Sequence, residues 1–467
     1  MIIFLLVSLL SPIEIGGKHF NGGTIRWKPI DPYNNSSSVP IAITQSYSWT
    51  YPTITCANNV PISTSGRSSA NANLTCITDC STDGGYSTHP VDILTDCVSA
   101  SSSLGIMSSQ RSVNITLGAD AHFYLAYQGS AWAPLGSPPK SGSYWSISCY
   151  IDLRMRADGL INSPPEANII SPQYVIVNTT TQIQIPVSDV NAGDDLRCRW
   201  SAYIPGYRRR RQADQGENRR SQSEDEVHEN MSAEKSVAQI RKKRGFKCSW
   251  CSSTCSYGCC CKSSACAGTL CSNWYCTINP TCPDITTTTE TPGTLPTTIS
   301  YANRQAIDEC GGICYPSSVP NGTTLSSNCT LTFTGLIPNT WYAISLQVED
   351  FINTTSTTPM SSVPVQFLIY VMPLPECPTV PIILPASDCY EIIAGVPTTF
   401  NLFVLNNCDP NVIGIADVMM SKTITGLQMT NMTVWPTNDS LVFVVFTFTP
   451  QFNQIGLQTF CIIAYTE

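Results

Sequence analysis

The sequence contains few charged residues, and this scarcity excludes one class of partner. Charged residues make up 12% of the 467 positions, and the formal net charge is -8. A protein that binds nucleic acid usually carries a cluster of basic residues on one face. Here the basic residues are instead concentrated in one stretch in the middle of the chain. We therefore expect no nucleic-acid partner.

Long apolar runs are also missing. After the N-terminal region, no segment reaches the roughly 18 to 20 apolar residues that a membrane helix needs. The best candidate, Leu441 to Phe448, has the length of a strand. Because the chain ends at Glu467 directly after a strand-like segment, we expect a C-terminal domain that is truncated there, with any membrane anchor beyond residue 467.

Familiar catalytic patterns are missing as well. The four histidines are scattered and form no zinc-protease motif; they are His19, His89, His122 and His228. Neither a nucleophile elbow nor a phosphate-binding or dinucleotide-binding glycine motif is found. We therefore expect no enzymatic activity and no organic cofactor.

What the chain does contain indicates export. Ile2 to Leu10 has the length of the apolar core of a signal peptide, which we place at residues 1–17. Eleven asparagines lie in glycosylation sequons: Asn34, Asn35, Asn73, Asn114, Asn178, Asn230, Asn321, Asn328, Asn353, Asn431 and Asn438. The 23 cysteines favour an oxidising compartment. We expect a secreted glycoprotein, or a cell-surface one if an anchor follows.

Two basic tetrads bracket an acidic stretch. They are Arg208-Arg209-Arg210-Arg211 and Arg241-Lys242-Lys243-Arg244, and both fit the Arg-x-Lys/Arg-Arg pattern of furin-type processing proteases. The acidic subsites of such proteases complement several adjacent cations. Cleavage after Arg211 and Arg244 would excise residues 212–244 and begin a second chain at Gly245. The alternatives are a solvated basic run and a nuclear-localisation patch.

Alternating apolar and polar residues predict strands and almost no helix. The segments 41–49, 182–187, 329–333 and 342–348 alternate with a period of two, and turn-forming residues separate them. We expect an all-β protein built of tandem Ig-like or fibronectin-III-like β-sandwiches. The expected domains are an N-terminal sandwich at 18–160, a second at 163–372 and a C-terminal one at 373–467. An insert at 206–305 divides the second sandwich into two parts and comprises a processing loop (208–244), a cysteine-rich knob (245–282) and a Thr/Pro spacer (283–298).

Cysteine counts follow the same division. The second sandwich contains Cys198, Cys310, Cys314 and Cys329, and the third contains Cys377, Cys389, Cys408 and Cys461. Both sets are even, and we predict disulfides in each, with Cys198 bonded to one of the three others in its domain. The first sandwich has five, which leaves one thiol for an intermolecular bridge, a distant partner or no partner. Ten more, between Cys248 and Cys282, predict a disulfide-stapled knob in preference to a zinc site.

Two stretches resemble known families. Gly335 to Tyr342, with the sequence G-L-I-P-N-T-W-Y, resembles the tyrosine corner of fibronectin type III domains. The resemblance implies that the Tyr342 hydroxyl bonds back to the backbone and that Ala343 to Glu349 form a core strand. The insert and the local cysteines depart from that family, so a PKD-like or cadherin-like sandwich stays open. His19 to Trp27, with the sequence H-F-N-G-G-T-I-R-W, is similar to the opening of poorly characterised secreted modular proteins of invertebrates and fish.

One acidic turn is a candidate calcium site. Its oxygen-bearing side chains, Asp189, Asn191, Asp194 and Asp195, surround a glycine in the manner of calcium-binding loops, and Asp350 would add a carboxylate. The alternative is a polar β-turn, for which Asn, Gly and Asp are the expected residues. The bidentate glutamate of a complete EF-hand loop is missing.

These features favour a modular binding or adhesion glycoprotein that presents a tethered cysteine-rich module. Its partner would be an extracellular protein or glycan, and a furin-type protease would mature it. The alternative is the precursor of a released, disulfide-rich or toxin-like peptide beginning at Gly245. Release would require a second cut after Cys282, and no dibasic site lies between that residue and Cys310.

Overall fold

A computed structural model describes most of the chain outside the insert. The described residues are 19–60, 72–136, 139–140, 143–208, 266–267, 270–271, 303–385, 390–421, 424–456, 458 and 460–466. Strands make up 51% and helices 2%, which confirms the prediction of an all-β protein with several sheets. The chain divides into two compact units, one of Met1–Arg208 with Gly293–Glu467 and one of Arg209–Pro292. The smaller unit falls within the insert expected at 206–305.

The N-terminal region contributes nine strands and two short 3-10 turns, Cys80–Thr82 and Tyr86–Thr88. The strands are β1 (Phe20–Pro29), β2 (Ser38–Thr50), β3 (Thr75–Thr78), β4 (Asp96–Ser101), β5 (Ile106–Gly118), β6 (His122–Ser130), β7 (Leu135–Gly136), β8 (Pro139–Lys140) and β9 (Tyr144–Asp152). β2 lies between β1 and β5 and is mostly buried. Aromatic side chains dominate this core, with the ring of Phe20 within 5.1 Å of the rings of Trp49, Trp132 and Trp145.

The middle region contributes fifteen strands, most of them short. They are β10 (Glu166–Ala167), β11 (Gln173–Ile176), β12 (Thr180–Gln184), β13 (Val187–Ser188), β14 (Asp195–Trp200), β15 (Tyr203–Ile204), β16 (Tyr207–Arg208), β17 (Cys266–Ala267), β18 (Leu270–Cys271), β19 (Asn303–Arg304), β20 (Ile307–Asp308), β21 (Thr324–Leu325), β22 (Thr330–Thr334), β23 (Thr340–Phe351) and β24 (Ser361–Met372). β17 and β18 pair with each other in the smaller unit.

One strand, β24, joins the N-terminal and middle regions into a 13-stranded sheet. It pairs with β23 over most of its length and with β11 in parallel. It also pairs with β1 and β9 of the N-terminal region. The approach to β1 requires glycine, because a β-carbon at Gly22 would collide with the carbonyl oxygen of Gln366. Strands on both sides of the expected boundary near residue 160 therefore share one sheet.

The C-terminal region forms two sheets with a core between them. Its strands are β25 (Ile382–Leu384), β26 (Thr398–Leu405), β27 (Ile415–Met420), β28 (Leu427–Met429), β29 (Thr433–Trp435), β30 (Asn438–Phe448) and β31 (Ile462–Thr466), and a 3-10 turn spans Phe452–Gln454. β26 and β30 are the centre of the larger sheet, and β27 pairs with β31. A small apolar cluster that includes Ile106, Met419 and Tyr465 packs this region against the rest.

Five disulfides are present among the described residues. They are Cys56–Cys97, Cys76–Cys80, Cys198–Cys329, Cys310–Cys314 and Cys377–Cys408. Cys198 thus pairs with Cys329, one of the three partners that the sequence left open. The fifth cysteine of the N-terminal region is Cys149, which is a fully buried free thiol, so an intermolecular bridge is excluded there. Cys389 lies outside the described residues, and Cys461 is half-buried with its N–H donating to Ser421 Oγ at 2.9 Å.

The prediction that the Tyr342 hydroxyl hydrogen-bonds to the backbone, as in a tyrosine corner, is wrong. β23 contains the expected core strand, and Tyr342 is 5% exposed with its ring 5.5 Å from that of Phe333. However, its hydroxyl makes no hydrogen bond to any described residue. Asn339 closes the corner instead, because its backbone has a φ of 56° and its N–H donates to the carbonyl of Val371 at 2.7 Å. The subtype of sandwich stays a prediction.

Candidate functional site

The acidic turn between β13 and β14 is built from local hydrogen bonds. The N–H of Asn191 donates to Asp189 Oδ1 at 2.7 Å, and the N–H of Asp194 donates to the carbonyl of Asn191 at 3.3 Å. Gly193 has a φ of +98°, a conformation that favours glycine. The side chain of Asn191 accepts from the N–H of Ser163 at 3.0 Å, which ties the turn to the preceding segment.

Strand pairing brings this turn to the end of β23. Leu196 at the start of β14 pairs with Asp350 in an antiparallel register. As a result, carboxylate oxygens of Asp189, Asp194 and Asp350 lie within 4.8 Å of one another. Three of the five residues singled out from the sequence therefore meet, although Asp350 is far from the other two along the chain.

The remaining predicted ligands point elsewhere. Asp195 accepts from Arg197 Nε at 2.6 Å, and Arg197 in turn donates to the carbonyls of Thr354 and Ser356. Asn191 is engaged with Ser163. Neither residue adds an oxygen to the group of three carboxylates.

Arg156, which no sequence pattern indicated, pairs with one of the three carboxylates. Arg156 makes a bidentate ion pair with Asp194, at 2.6 Å from Nη1 to Oδ2 and 2.9 Å from Nη2 to Oδ1. Its Nη1 also donates to Asn162 Oδ1 at 2.9 Å. The side chains of Arg156 and Asp194 are 7% and 2% exposed. No spacing pattern signals this pair, because the two residues are separated by 38 positions.

The positive charge of Arg156 lies beside these three carboxylates and is shared with Asp158, whose Oδ2 is 3.0 Å from Nη2. Burial raises the pKa of Asp189 to about 7, and the negative charges of Asp350 and Asp194 add to the effect. Burial also raises the pKa of Asp350 to about 6, against the hydrogen bonds that Ser361 and Asn162 donate to it. Asp189 Oδ2 is buried and has no hydrogen-bond partner.

The oxygens of this group do not form a ready calcium site. Both oxygens of Asp194 bind Arg156, and both oxygens of Asp350 accept hydrogen bonds, from Ser361 and from Asn162. One carboxylate oxygen, Asp189 Oδ2, is left over. Ca²⁺ takes six to eight oxygen ligands, so calcium binding stays a prediction and requires Arg156 to withdraw.

A second buried ion cluster connects the two sides of the insert. Arg199 of β14 makes a bidentate pair with Glu309, at 2.6 and 2.9 Å, and its Nε donates to Glu349 Oε1 at 2.7 Å. Glu309 also accepts from the N–H of Ala202 at 3.0 Å. The three charged side chains are at most 13% exposed. We name Arg199, Glu309 and Glu349 the clasp.

Two further contacts hold the base of the insert. β15 pairs with β20 and β16 pairs with β19, so the chain enters and leaves the insert as one antiparallel ladder. The Cys198–Cys329 disulfide lies in the same region and also joins a residue before the insert to a residue after it. Arg208, the first residue of the first tetrad, ends β16 opposite Asn303. The other processing residues, Arg211, Arg241, Lys243 and Arg244, lie outside the described residues.

The sequon asparagines lie on the surface. Eight of the ten described ones are exposed and two, Asn34 and Asn73, are half-buried; Asn230 lies outside the described residues. In contrast, none of the asparagines classed as buried, which are Asn21, Asn162, Asn168 and Asn406, belongs to a sequon. The ten described sequon asparagines are therefore at least partly accessible to solvent.

The second group of potential metal ligands is closed by a disulfide. Asp308, Cys310 and Cys314 lie within 4.8 Å of one another, but the two cysteines are bonded to each other and offer no thiolate.

Helices capable of crossing a membrane are not found in the part of the chain that the structure describes. Comparisons of the chain with protein-family models, with curated proteins and with solved structures each gave no match.

Proposed function

We propose that the chain is a secreted or cell-surface modular glycoprotein that acts by binding, and that furin-type cleavage after Arg211 and Arg244 matures it. The observation that carries this proposal is the Cys198–Cys329 disulfide, which spans the insert. Among the disulfides of the described residues, it is the one that joins a residue before the processing loop to a residue after it. A cut in the loop would therefore leave one covalent molecule.

The non-covalent contacts support the same proposal. Strands from before the insert, such as β11 and β14, pair with β24 and β23 from after it. The clasp and the ladder at the base of the insert add polar contacts across the same gap. Since a disulfide keeps the two fragments at a high effective concentration, these contacts would persist after cleavage.

The cysteine-rich module would remain attached after maturation. Its C-terminal side continues into β19 and β20, which pair with β16 and β15 in the larger unit. Presentation of this module to an extracellular protein or glycan is the mechanism that we propose. A released peptide would need an additional cut between Cys282 and Asn303, where the sequence offers no dibasic site.

Electrophoresis and N-terminal sequencing of the secreted protein test the proposal. We expect one species without reductant and two with it, one of which begins at Gly245. Replacing both Cys198 and Cys329 with Ser should give two species without reductant under denaturing conditions, whereas the matched replacement of Cys310 and Cys314, whose bridge lies wholly after the insert, should not.

Arginine variants identify the cleavage sites. Arg211→Ala with Arg244→Ala should abolish the reduced doublet without affecting secretion. Arg219→Ala with Arg220→Ala is the control, because that dibasic pair lies in the same loop but lacks a basic residue three positions before Arg220. A free fragment of about 40 residues that starts at Gly245 would favour the released peptide instead, and an uncleaved secreted chain would refute processing.

A further inference from the structure

Part of the outer face of the large C-terminal sheet is apolar and incompletely covered. Along β26 and β30, five apolar outward side chains, Phe403, Leu405, Leu441, Phe443 and Val445, are half-buried, whereas the polar outward ones, Thr399, Asn401 and Thr447, are exposed. On the neighbouring β25, Ile382 and Leu384 are 45% and 41% exposed. Contiguous apolar surface on a soluble protein indicates that something covers it.

Three aromatic rings lie at one end of this face. Trp435 stands edge-on to Phe403 and to Phe443, with ring centroids 5.6 Å apart in both pairs. Phe403 and Phe443 are themselves 6.0 Å apart. Trp435 is 36% exposed and is the outermost of the three. We name these three residues the aromatic platform.

A glycosylation sequon lies directly opposite the platform. Asn438 pairs with Trp435 across a two-residue turn, Pro436–Thr437. The register of β29 and β30 shifts between Val434 and Trp435, so this pair closes an irregular end of the hairpin, where paired backbones lie about 4.5 to 5.5 Å apart. Asn438 is exposed, and its Oδ1 accepts from the N–H of Ser440 at 3.1 Å. Its Nδ2, the atom that would carry a glycan, makes no hydrogen bond to a described residue.

We propose that the first sugars of an N-linked glycan on Asn438 pack against Trp435 and cover the aromatic platform. This inference rests on the proposed secretion and glycosylation of the chain. Pyranose rings present faces of C–H groups, and such a face gains dispersion contact with an aromatic ring and removes apolar surface from water. The occupant is already tethered to the platform, so it loses little translational freedom on packing.

Other sequons do not share this arrangement. Asn114 is the other described sequon asparagine within a named strand, and its partner across β2 and β5 is Ala42. Asn431 lies in the same C-terminal region, but it is outside any strand and has no cross-strand aromatic partner. These two positions are therefore matched controls, one distant and one close.

The test uses the full chain secreted from cells that attach N-glycans. Glycopeptide mass spectrometry first measures occupancy at each sequon. Asn438→Gln is then expected to increase the fluorescence of a dye that binds apolar surface at least about two-fold and to lower the melting temperature by about 2 to 4 °C. Asn431→Gln and Asn114→Gln should change neither quantity beyond error.

Two further measurements separate packing from solubility. Trimming the glycans to one sugar with an endoglycosidase should leave the wild-type melting temperature within about 1 °C, since the first sugar makes the contact. Trp435→Ala should lower the melting temperature of the wild type more than that of the Asn438→Gln variant, because the contact is already lost in the latter.

The outcomes distinguish this inference from the proposed function. If no sequon is occupied, the glycoprotein proposal and this inference both fail. If the other sequons are occupied but Asn438 is not, this inference alone fails. It also fails if Asn438 is occupied and Asn438→Gln behaves like the two control variants, or if the effects of Asn438→Gln and Trp435→Ala are additive.

Discussion

Two buried arginines pair with acidic side chains in this molecule, and they differ in how completely their guanidinium groups are hydrogen-bonded. Arg199 serves two, Glu309 and Glu349, and its Nε, Nη1 and Nη2 all donate hydrogen bonds. Arg156 pairs with Asp194 and with Asp158, and its Nε is buried without a hydrogen-bond partner among the described residues. Guanidinium–carboxylate pairing therefore uses all three guanidinium nitrogens of Arg199, whereas it leaves the Nε of Arg156 without a partner.

This difference between the two arginines indicates which properties the clasp and the acidic turn should have. In the clasp, each buried charge has a partner, and the two glutamates come from the part of the chain after the insert, so the cluster links the two sides of a cleavable loop. In the acidic turn, burial raises the pKa of Asp189 to about 7, and the negative charges of Asp350 and Asp194 add to the effect. The clasp is thus a structural contact, whereas the stability of the turn should respond to protons and cations.

The largest effect that we predict is the loss of the clasp. Arg199→Met leaves two buried carboxylates without their cation, which should lower the free energy of unfolding by about 3 to 5 kcal/mol. Denaturant unfolding at neutral pH measures it. The control is Arg26→Met, whose ion pair with Glu166, at 3.1 Å between side chains that are 17% and 32% exposed, should cost about 1 kcal/mol to lose. Equal effects of the two variants would show that the clasp contributes no more than a surface ion pair.

Removing Arg156 tests the group of three carboxylates in and beside the acidic turn. Arg156→Met should lower the free energy of unfolding by about 2 to 4 kcal/mol. Because it also frees both oxygens of Asp194, millimolar Ca²⁺ should raise the melting temperature of the variant by several degrees, and that of the wild type by less than about one degree. Mg²⁺ at the same concentration is the control for ionic strength.

Calorimetric titration with Ca²⁺ tests the same site by measuring binding directly. If the wild-type protein binds Ca²⁺ with micromolar affinity, then Arg156 does not exclude the ion and the calcium site expected from the sequence exists as such. If the Arg156→Met variant shows no heat in the millimolar range, then Asp189, Asp194 and Asp350 do not form a metal site.

The smallest effect concerns the pH dependence of the acidic turn. The pKa of Asp189 rises from an ordinary 3.8 to about 7 on folding, so the folded state holds this proton more tightly. Its contribution to stability is full below about pH 4 and is lost as the pH rises to about 7. Asp189→Asn should therefore match the wild type at about pH 4 and exceed its free energy of unfolding by about 1 to 2 kcal/mol at about pH 8.

Denaturant unfolding at several pH values measures this difference. Asparagine at position 189 keeps the Oδ1 that accepts from Asn191, so the turn should still form. Asp195→Asn is the control, because Asp195 lies outside the group of three carboxylates. A wild type and an Asp189→Asn variant with parallel pH profiles would contradict the prediction.

Local sequence patterns indicated those features that depend on neighbouring residues. The strict alternation in segments such as 342–348 predicted strands, and β23 contains that segment. Asn, Gly and Asp between 189 and 195 predicted a turn, and the turn forms. The candidate acidic residues were also identified, since carboxylates at short spacing around a glycine are visible in the sequence itself.

Pairing between distant segments was not visible in the same way. Alternation tells which face of a strand is buried, but not that β24 pairs with β1 as well as with β23. The tyrosine-corner motif predicted a hydroxyl contact, whereas the geometry of Asn339 closes the corner. Arg156 and Arg199 were missed because each lies far along the chain from an acidic partner.

The sequence by itself determined the strand-rich architecture, the cysteine supply and the positions of the glycosylation sequons, because each of these follows from the type and spacing of adjacent residues. Tertiary structure decided which charges meet, which cysteine pairs with Cys198, and which sequon asparagine pairs with a tryptophan. Such contacts depend on strand register and sheet order, and those are selected by burial and hydrogen bonding over the whole fold rather than by any local pattern.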